Sequence, residues 1–199
     1  MIVLYTVREP FNQAFPKEGL TWEEFKVWNG FVQVKELLSL DQFLNPELNT
    51  SKMGNNDAFS YLEQGKRTGL FTSLEYVKDN IGDGENCNLL AVIKEPGESC
   101  DELILDGFEF AGYDLLDTEF GYSALSNLGS VLGPVTAKDL NEYGLIQHFS
   151  AVSALQAKIC VDYRGLRQAE TYIMAIWRHE KIGRGSTDLI NKEIEEIAC

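Results

Sequence analysis

Apolar runs of strand length recur along the chain and predict a β-sheet. Residues 88–94 form the clearest run, which is continuous, bounded by turn residues and typical of a central strand covered on both faces. Residues 103–105 and 108–110 flank the turn Asp106-Gly107 and predict a hairpin, whose second strand continues towards residue 116. The predicted strands cover residues 1–8, 88–94, 103–105, 108–116 and 172–177.

Capping signals predict the helices between these strands. Thr21 and Glu24 form a capping box, in which two side chains satisfy amides of the first turn, and the helix they open is expected to end near Gly30. Thr72 and Glu75 form a second capping box. A short helix is predicted at residues 58–64. A helical region is predicted to open at Thr136 and to end at Gly165, and its buried face consists of Leu145, Phe149, Val152, Leu155 and Ile159. A final short helix is predicted from the stripe Ile190, Ile194 and Ile197.

The order of these elements indicates the fold class. Strands and helices do not alternate as regular βαβ units, and no repeat or Pro/Gly/Ser-rich linker divides the chain. Residues 31–40 begin with strand-like alternation and then become ambiguous. We therefore predict a single α+β domain over residues 1–199, with a mixed or mainly antiparallel sheet and several helices packed on it.

The net charge of the chain limits the classes of function that it can have. It has 31 Asp and Glu residues against 17 Lys and Arg, a net charge of −14 over 199 residues. A phosphate backbone would be repelled, so direct nucleic-acid binding is not expected. The N-terminus lacks the basic region and cleavage site of a signal peptide, and no apolar run is long enough to span a membrane. The widely spaced Cys87, Cys100, Cys160 and Cys199 do not suggest disulfides, and we expect a cytoplasmic protein.

Motifs that carry catalysis are missing from the sequence. The two histidines, His148 and His179, belong to no zinc-binding pattern, and there is no nucleophile elbow, Walker loop or dinucleotide-binding glycine pattern. The sequence therefore predicts no enzymatic activity, no metal and no cofactor. One alternative stays open, because Tyr5, Arg8 and the turn at residues 69–73 resemble the NAD-gripping layout of ADP-ribosyltransferases, either active or as an inert scaffold.

The acidic residues are concentrated in one block. No Lys or Arg occurs from residue 95 to residue 137, and the first part of that stretch contains nine acids: Glu95, Glu98, Asp101, Glu102, Asp106, Glu109, Asp114, Asp117 and Glu119. Such a block is either a solvated face or a surface that steers a basic partner. Residues 158–184 form a contrasting basic strip, for which the sequence suggests no partner.

Several short segments carry a resemblance to a known family: residues 21–25, 69–73, 110–117, 123–127, 141–146 and 172–178. They resemble small acidic bacterial immunity proteins, encoded beside toxins of contact-dependent growth inhibition and related polymorphic toxin systems. The resemblance implies a cytoplasmic protein that covers the active or substrate-binding face of a cognate toxin domain, often a basic nuclease that cuts tRNA. This chain departs from the family at Leu128, where relatives commonly carry Cys.

The sequence therefore predicts a non-enzymatic immunity protein that occludes a cationic toxin domain. We expect carboxylates to pair with Lys and Arg of the toxin and a tyrosine to supply an apolar anchor. The predicted contact residues are Asp114, Asp117, Glu119 and Tyr122, with Asp101 and Glu102 as a second set. An adaptor for another basic protein is a further alternative, and the oligomeric state stays open.

Overall fold

The part of the chain that the structure describes folds around one antiparallel sheet. A computed structural model describes residues 1–17, 19–48, 58–81, 86–98, 100–126, 139–164 and 169–182. Their elements are β1 (Leu4–Arg8), α1 (Trp22–Asn29), β2 (Ser60–Glu63), β3 (Lys66–Phe71), α2 (Leu74–Asn80), β4 (Asn88–Lys94), β5 (Phe108–Asp117), α3 (Phe149–Asp162) and β6 (Thr171–His179). A sheet with the strand order β2-β3-β1-β4-β6-β5, every pairing antiparallel, confirms the predicted α+β class.

The helices cover one face of the sheet, which we call the helix face. Apolar side chains of all three helices join those of the central strands in one buried cluster, which includes Phe25 of α1, Val77 of α2 and Val152 of α3. The opposite face is covered by a segment without regular structure, residues 34–48, which we call the strap. Leu38 and Leu40 of the strap pack with Leu90 on this strap face. Buried rows on both faces explain why β4 is continuously apolar.

Local signals account for the elements that sequence analysis predicted well. Thr21 and Glu24 form the expected capping box, and Gly30 ends α1 in the left-handed conformation. The strands predicted at residues 1–8, 88–94, 108–116 and 172–177 correspond to β1, β4, β5 and β6. None of the helices in the described part of the chain has the length and apolar character needed to cross a bilayer.

The helix predicted at residues 58–64 is wrong, because this segment contains strand β2. Gln64 and Gly65 have positive φ angles of 50° and 76° and form the tight turn to β3. Two successive residues with positive φ match the right-handed twist of a hairpin, and glycine adopts this conformation without strain. The glycine that suggested a helix end therefore turns a hairpin.

Three further expectations require correction. Residues 103–105 form no strand, because they follow a single 3₁₀ turn (Cys100–Glu102) and only Leu105 bridges to Phe108. The α2 cap is Ser73, which accepts from the Tyr76 amide, whereas the predicted cap Thr72 donates to the Phe59 carbonyl.

The third correction concerns α3, which begins at Phe149, so Leu145 is buried in the preceding loop. The side chain of Asn141 accepts from the Tyr143 and Leu145 amides and favours a turn there. The predicted features at Thr136, Gly165, Leu128 and the C-terminal isoleucine stripe lie outside the described residues.

A bulge in β5 decides which of its side chains face the strap. The register shifts between Phe110 and Gly112, and Gly112 has a φ of 138°. A Cβ atom on Gly112 would lie 2.8 Å from the Leu145 Cβ atom, so glycine is required for this close approach. Uninterrupted alternation from Phe110 would direct Asp114 to the helix face, whereas the bulge directs it to the strap face.

Candidate partner-binding surface

Most of the acidic block is exposed at the surface. Of its nine acids, Asp114 and Asp117 are buried, and the other seven are exposed: Glu95, Glu98, Asp101, Glu102, Asp106, Glu109 and Glu119. The prediction of a negative surface therefore applies to these seven carboxylates. Asp114 and Asp117, which were predicted as partner contacts, are not part of this surface.

Asp114 cannot contact a partner, because its side chain is completely buried under the strap. Its carboxylate accepts from the Leu40 amide at 2.9 Å, from the Leu115 amide at 2.8 Å and from the Ser123 hydroxyl. Burial raises the pKa of Asp114 to about 6, and the nearby charge of Asp41 acts in the same direction. Asp114 thus attaches the strap to β5, and its prediction as a contact residue is wrong.

Asp117 is also buried, at 2% exposure, and shapes the turn that follows β5. One carboxylate oxygen accepts from the Gly121 amide at 2.7 Å and from the Tyr122 amide at 3.1 Å. The Asp117 amide in turn donates to the Tyr122 carbonyl at 2.9 Å. The prediction of Asp117 as a surface contact is therefore wrong, and this side chain instead fixes the position of Tyr122.

Asp101 and Glu102 are exposed on a loop that crosses the helix face. We call residues 100–106 the acidic loop. Cys100 is 3% exposed and Leu105 packs against the main buried cluster, so both tether the loop to the core. Between these tethers the loop exposes Asp101, Glu102 and Ile104, whose side chain is 91% exposed. The exposed isoleucine was not predicted as a contact, since the surrounding apolar run indicated a strand.

The acidic loop is held against β5 near Tyr113. Burial, with the negative charge of Asp101 as the next contribution, raises the pKa of Tyr113 to about 12. The Tyr113 side chain belongs to the cluster on the helix face. Asp101 therefore lies on that side of the sheet.

Glu119 and Tyr122 lie on the other side, next to the strap. Both are exposed, and the buried Phe120 between them packs with Tyr172 in the strap-face cluster. Phe43 of the strap, which the sequence did not predict as a contact, is 64% exposed on a turn whose Gln42 amide donates to the Gly121 carbonyl. The structure thus separates the predicted contacts into Asp101 with Glu102 and Glu119 with Tyr122.

A polar cleft adjoins Glu119. It encloses about 340 Å³ between the β2–β3 hairpin and the residues flanking β5 and β6, and its lining includes Lys66, Arg67, Glu119 and Glu170. Beside it, the ammonium of Lys94 lies 3.7 Å from the centroid of the Tyr172 ring and 2.9 Å from a carboxylate oxygen of Glu63. The pKa of Glu63 is lowered, with the hydrogen bond to Lys94 as the largest cause. Both signs of charge line the cleft, so its charge does not select an anion or a cation.

The arrangement of Tyr5, Arg8 and residues 69–73 does not favour the ADP-ribosyltransferase alternative. Arg8 is 1% exposed beneath the strap. Burial lowers the pKa of Arg8, and the negative charges of Glu47, Asp41 and Asp114 partly offset this by raising it. Tyr5 instead packs with Phe108 at the helix-face cluster. These two side chains point away from each other through the sheet, so they do not converge on one ligand.

The described residues of the basic strip lie on different faces of the sheet. Arg178 is directed towards the strap face, where it pairs with the buried Glu36 at 3.0 Å. Lys158 lies on α3, which covers the helix face, and Arg167 and Arg184 are outside the described residues.

Comparison of the chain with protein-family models, with curated proteins and with solved structures gives no match.

Proposed function

We propose that this chain is an immunity protein that binds a cognate cationic toxin domain in the cytoplasm and blocks its active or substrate-binding face. The observation that carries the proposal is the acidic loop, in which exposed carboxylates surround an exposed apolar residue. Asp101, Glu102 and Asp106 are exposed around Ile104, whose side chain is 91% exposed. A basic nuclease that binds an RNA backbone would present the complementary surface.

The two kinds of side chain on the loop act on different parts of binding. Carboxylates attract a cationic partner over a distance of about 8–10 Å at moderate salt and accelerate encounter. An apolar side chain that is buried on contact slows dissociation instead. The tethers at Cys100 and Leu105 hold the loop in place, so little conformational entropy is lost on binding.

The first test is calorimetric titration with the C-terminal toxin domain encoded immediately upstream of this chain. We expect a dissociation constant in the nanomolar range that rises as salt is increased from about 50 to 200 mM, because the attraction is screened. Failure of this domain to bind at either salt concentration would contradict the proposed function.

A pair of charge variants tests the acidic loop itself. The double variant Asp101→Asn/Glu102→Gln removes two exposed charges from the loop, and we expect the association rate to fall about three- to tenfold. The control Glu75→Gln/Asp79→Asn removes the same charge from the exposed side of α2. Equal effects of the two variants in stopped-flow binding would show that only net charge matters.

A further inference from the structure

We propose that Phe43 and Tyr122 form a rigid aromatic anchor that binds an arginine-bearing surface of the partner protein. This inference rests on the proposed function for the identity of the partner and adds a second contact region beside the strap. We call Phe43, Tyr122 and the neighbouring Glu119 the anchor patch.

The two rings of the anchor patch come from distant parts of the chain, and the turns that carry them are joined at the surface. Phe43 is 64% exposed and Tyr122 is 47% exposed. The Gln42 amide donates to the Gly121 carbonyl at 2.9 Å, so the turn of the strap and the turn after β5 are directly joined. Single exposed apolar residues are common on soluble proteins, whereas exposed apolar side chains grouped in one region of the surface are typical of interaction sites.

Buried carboxylates hold both turns in place. One oxygen of Asp41 accepts from the Phe43 amide at 2.9 Å and from the Leu44 amide at 3.0 Å, and the other accepts from the Ser123 amide at 3.0 Å. Asp41 is completely buried, so a single carboxylate connects the backbone of both turns. Asp117 fixes Tyr122 from the other side, as described above.

The turn that carries Tyr122 also contains a backbone conformation that is uncommon outside glycine. Phe120 has a φ of 59° although its side chain is buried against the strap-face cluster. Such conformations persist where the surroundings determine them, and they cluster at functional sites. The main chain under both rings is therefore ordered before any partner arrives, which lowers the entropic cost of binding.

The charge of the patch indicates which side chain the rings receive. Glu119 belongs to the same turn as Tyr122 and its side chain is exposed. A guanidinium can lie flat on an aromatic ring while donating to a carboxylate, a combination that an ammonium satisfies less well. Arginine on a cationic protein is therefore the occupant that matches two rings and an adjacent acid.

The principal experiment measures dissociation of the toxin domain from anchor variants. We expect Phe43→Ala/Tyr122→Ala to raise the dissociation rate on the order of 30-fold, the effect of losing an interface hot spot of about 2 kcal/mol. The matched control is Trp28→Ala on α1, which removes another ring, 60% exposed, and should change the rate less than twofold. Thermal unfolding should be similar in all variants, because the deleted rings are exposed. An unchanged dissociation rate in the double variant would overturn the anchor.

A second measurement does not require the toxin domain. Hexa-arginine and hexa-lysine peptides carry the same charge, so the ratio of their dissociation constants isolates the preference for a guanidinium. We expect the wild-type protein and Trp28→Ala to bind hexa-arginine several-fold more tightly than hexa-lysine, and the anchor double variant to lose this preference. Preference for arginine without binding of the toxin domain would support the anchor and contradict the proposed function. An equal ratio in wild type and double variant would contradict the anchor whatever the toxin domain does.

Discussion

At the scale of single residues, burial separates carboxylates that the sequence presents as equivalent. Asp101 and Glu102 are exposed, whereas Asp41, Asp114 and Asp117 accept hydrogen bonds from backbone amides beneath the surface. A buried carboxylate needs such donors, because transfer of an isolated charge out of water is costly. These buried acids therefore organise loops, and only the exposed acids are available to attract a partner.

The raised pKa of Asp114 makes part of the stability depend on pH. An ordinary Asp has a pKa of 3.8, and Asp114 has a pKa of about 6 in the folded protein. The folded state thus binds this proton more tightly than the unfolded state, so the contribution of Asp114 to stability falls as pH rises from 3.8 to about 6.

The variant Asp114→Asn resembles the protonated side chain and should remove this loss. We expect the free energy of unfolding of the variant, relative to wild type, to increase on the order of 2 kcal/mol across that pH range. Urea unfolding at a series of pH values measures the difference, with the exposed Asp79→Asn as control. Parallel pH profiles for wild type and Asp114→Asn would contradict the expectation.

At the scale of elements, capping side chains decide where helices begin. Ser73 accepts from the Tyr76 amide at 3.2 Å, whereas Thr72 donates to a carbonyl on the neighbouring hairpin. We expect Ser73→Ala to lower the free energy of unfolding by about 1 kcal/mol. Thr72→Ala should cost less, since its bond is exposed and does not satisfy an amide of the helix. Chemical denaturation distinguishes the two, and a larger loss in Thr72→Ala would place the cap at Thr72.

Sequence signals predicted elements that are fixed by neighbouring residues and missed those fixed by distant contacts. The capping box of α1 and the apolar run of β4 are complete in themselves. The 58–64 segment carries an equally plausible helix signal, and only pairing with β3 makes it a strand. In the candidate site, Glu119 and Tyr122 are exposed, and their role as partner contacts stays a prediction. The burial of Asp114 depends on a bulge in β5, and the joining of the Phe43 turn to the Tyr122 turn depends on the hydrogen bond from the Gln42 amide to the Gly121 carbonyl. The periodicity of the sequence shows neither feature.

At the scale of the whole molecule, strand β1 is paired with its two neighbours over unequal lengths. The register of β1 with β4 contains five residue pairs, but its register with β3 contains only Tyr5↔Phe71. The β2–β3 hairpin is therefore attached to the sheet mainly through side chains. A weakly attached edge opens locally at a lower free energy than a central strand.

Hydrogen–deuterium exchange should reveal this difference. We expect amides of β4 and β6 to exchange most slowly, since both strands are central and almost completely buried. Amides of β2 and β3 should exchange faster at the same pH, through opening of the hairpin without unfolding of the rest. Equal protection of the hairpin and of β4 would contradict a separately opening edge.

The order of the strands also determines when the sheet can be completed during synthesis of the chain. Strand β6 is the last described strand in the chain, yet it lies between β4 and β5. While the ribosome is still making the segment after β5, that strand lacks its native neighbour β6, and Phe120 in the turn bearing Tyr122 lacks the Tyr172 ring on which it packs. Pairing between distant segments is also slow. Newly made chains would therefore complete this face of the sheet only after residue 179 has emerged. Under the proposed function, a cell producing toxin and immunity protein together would need a reserve of finished chains.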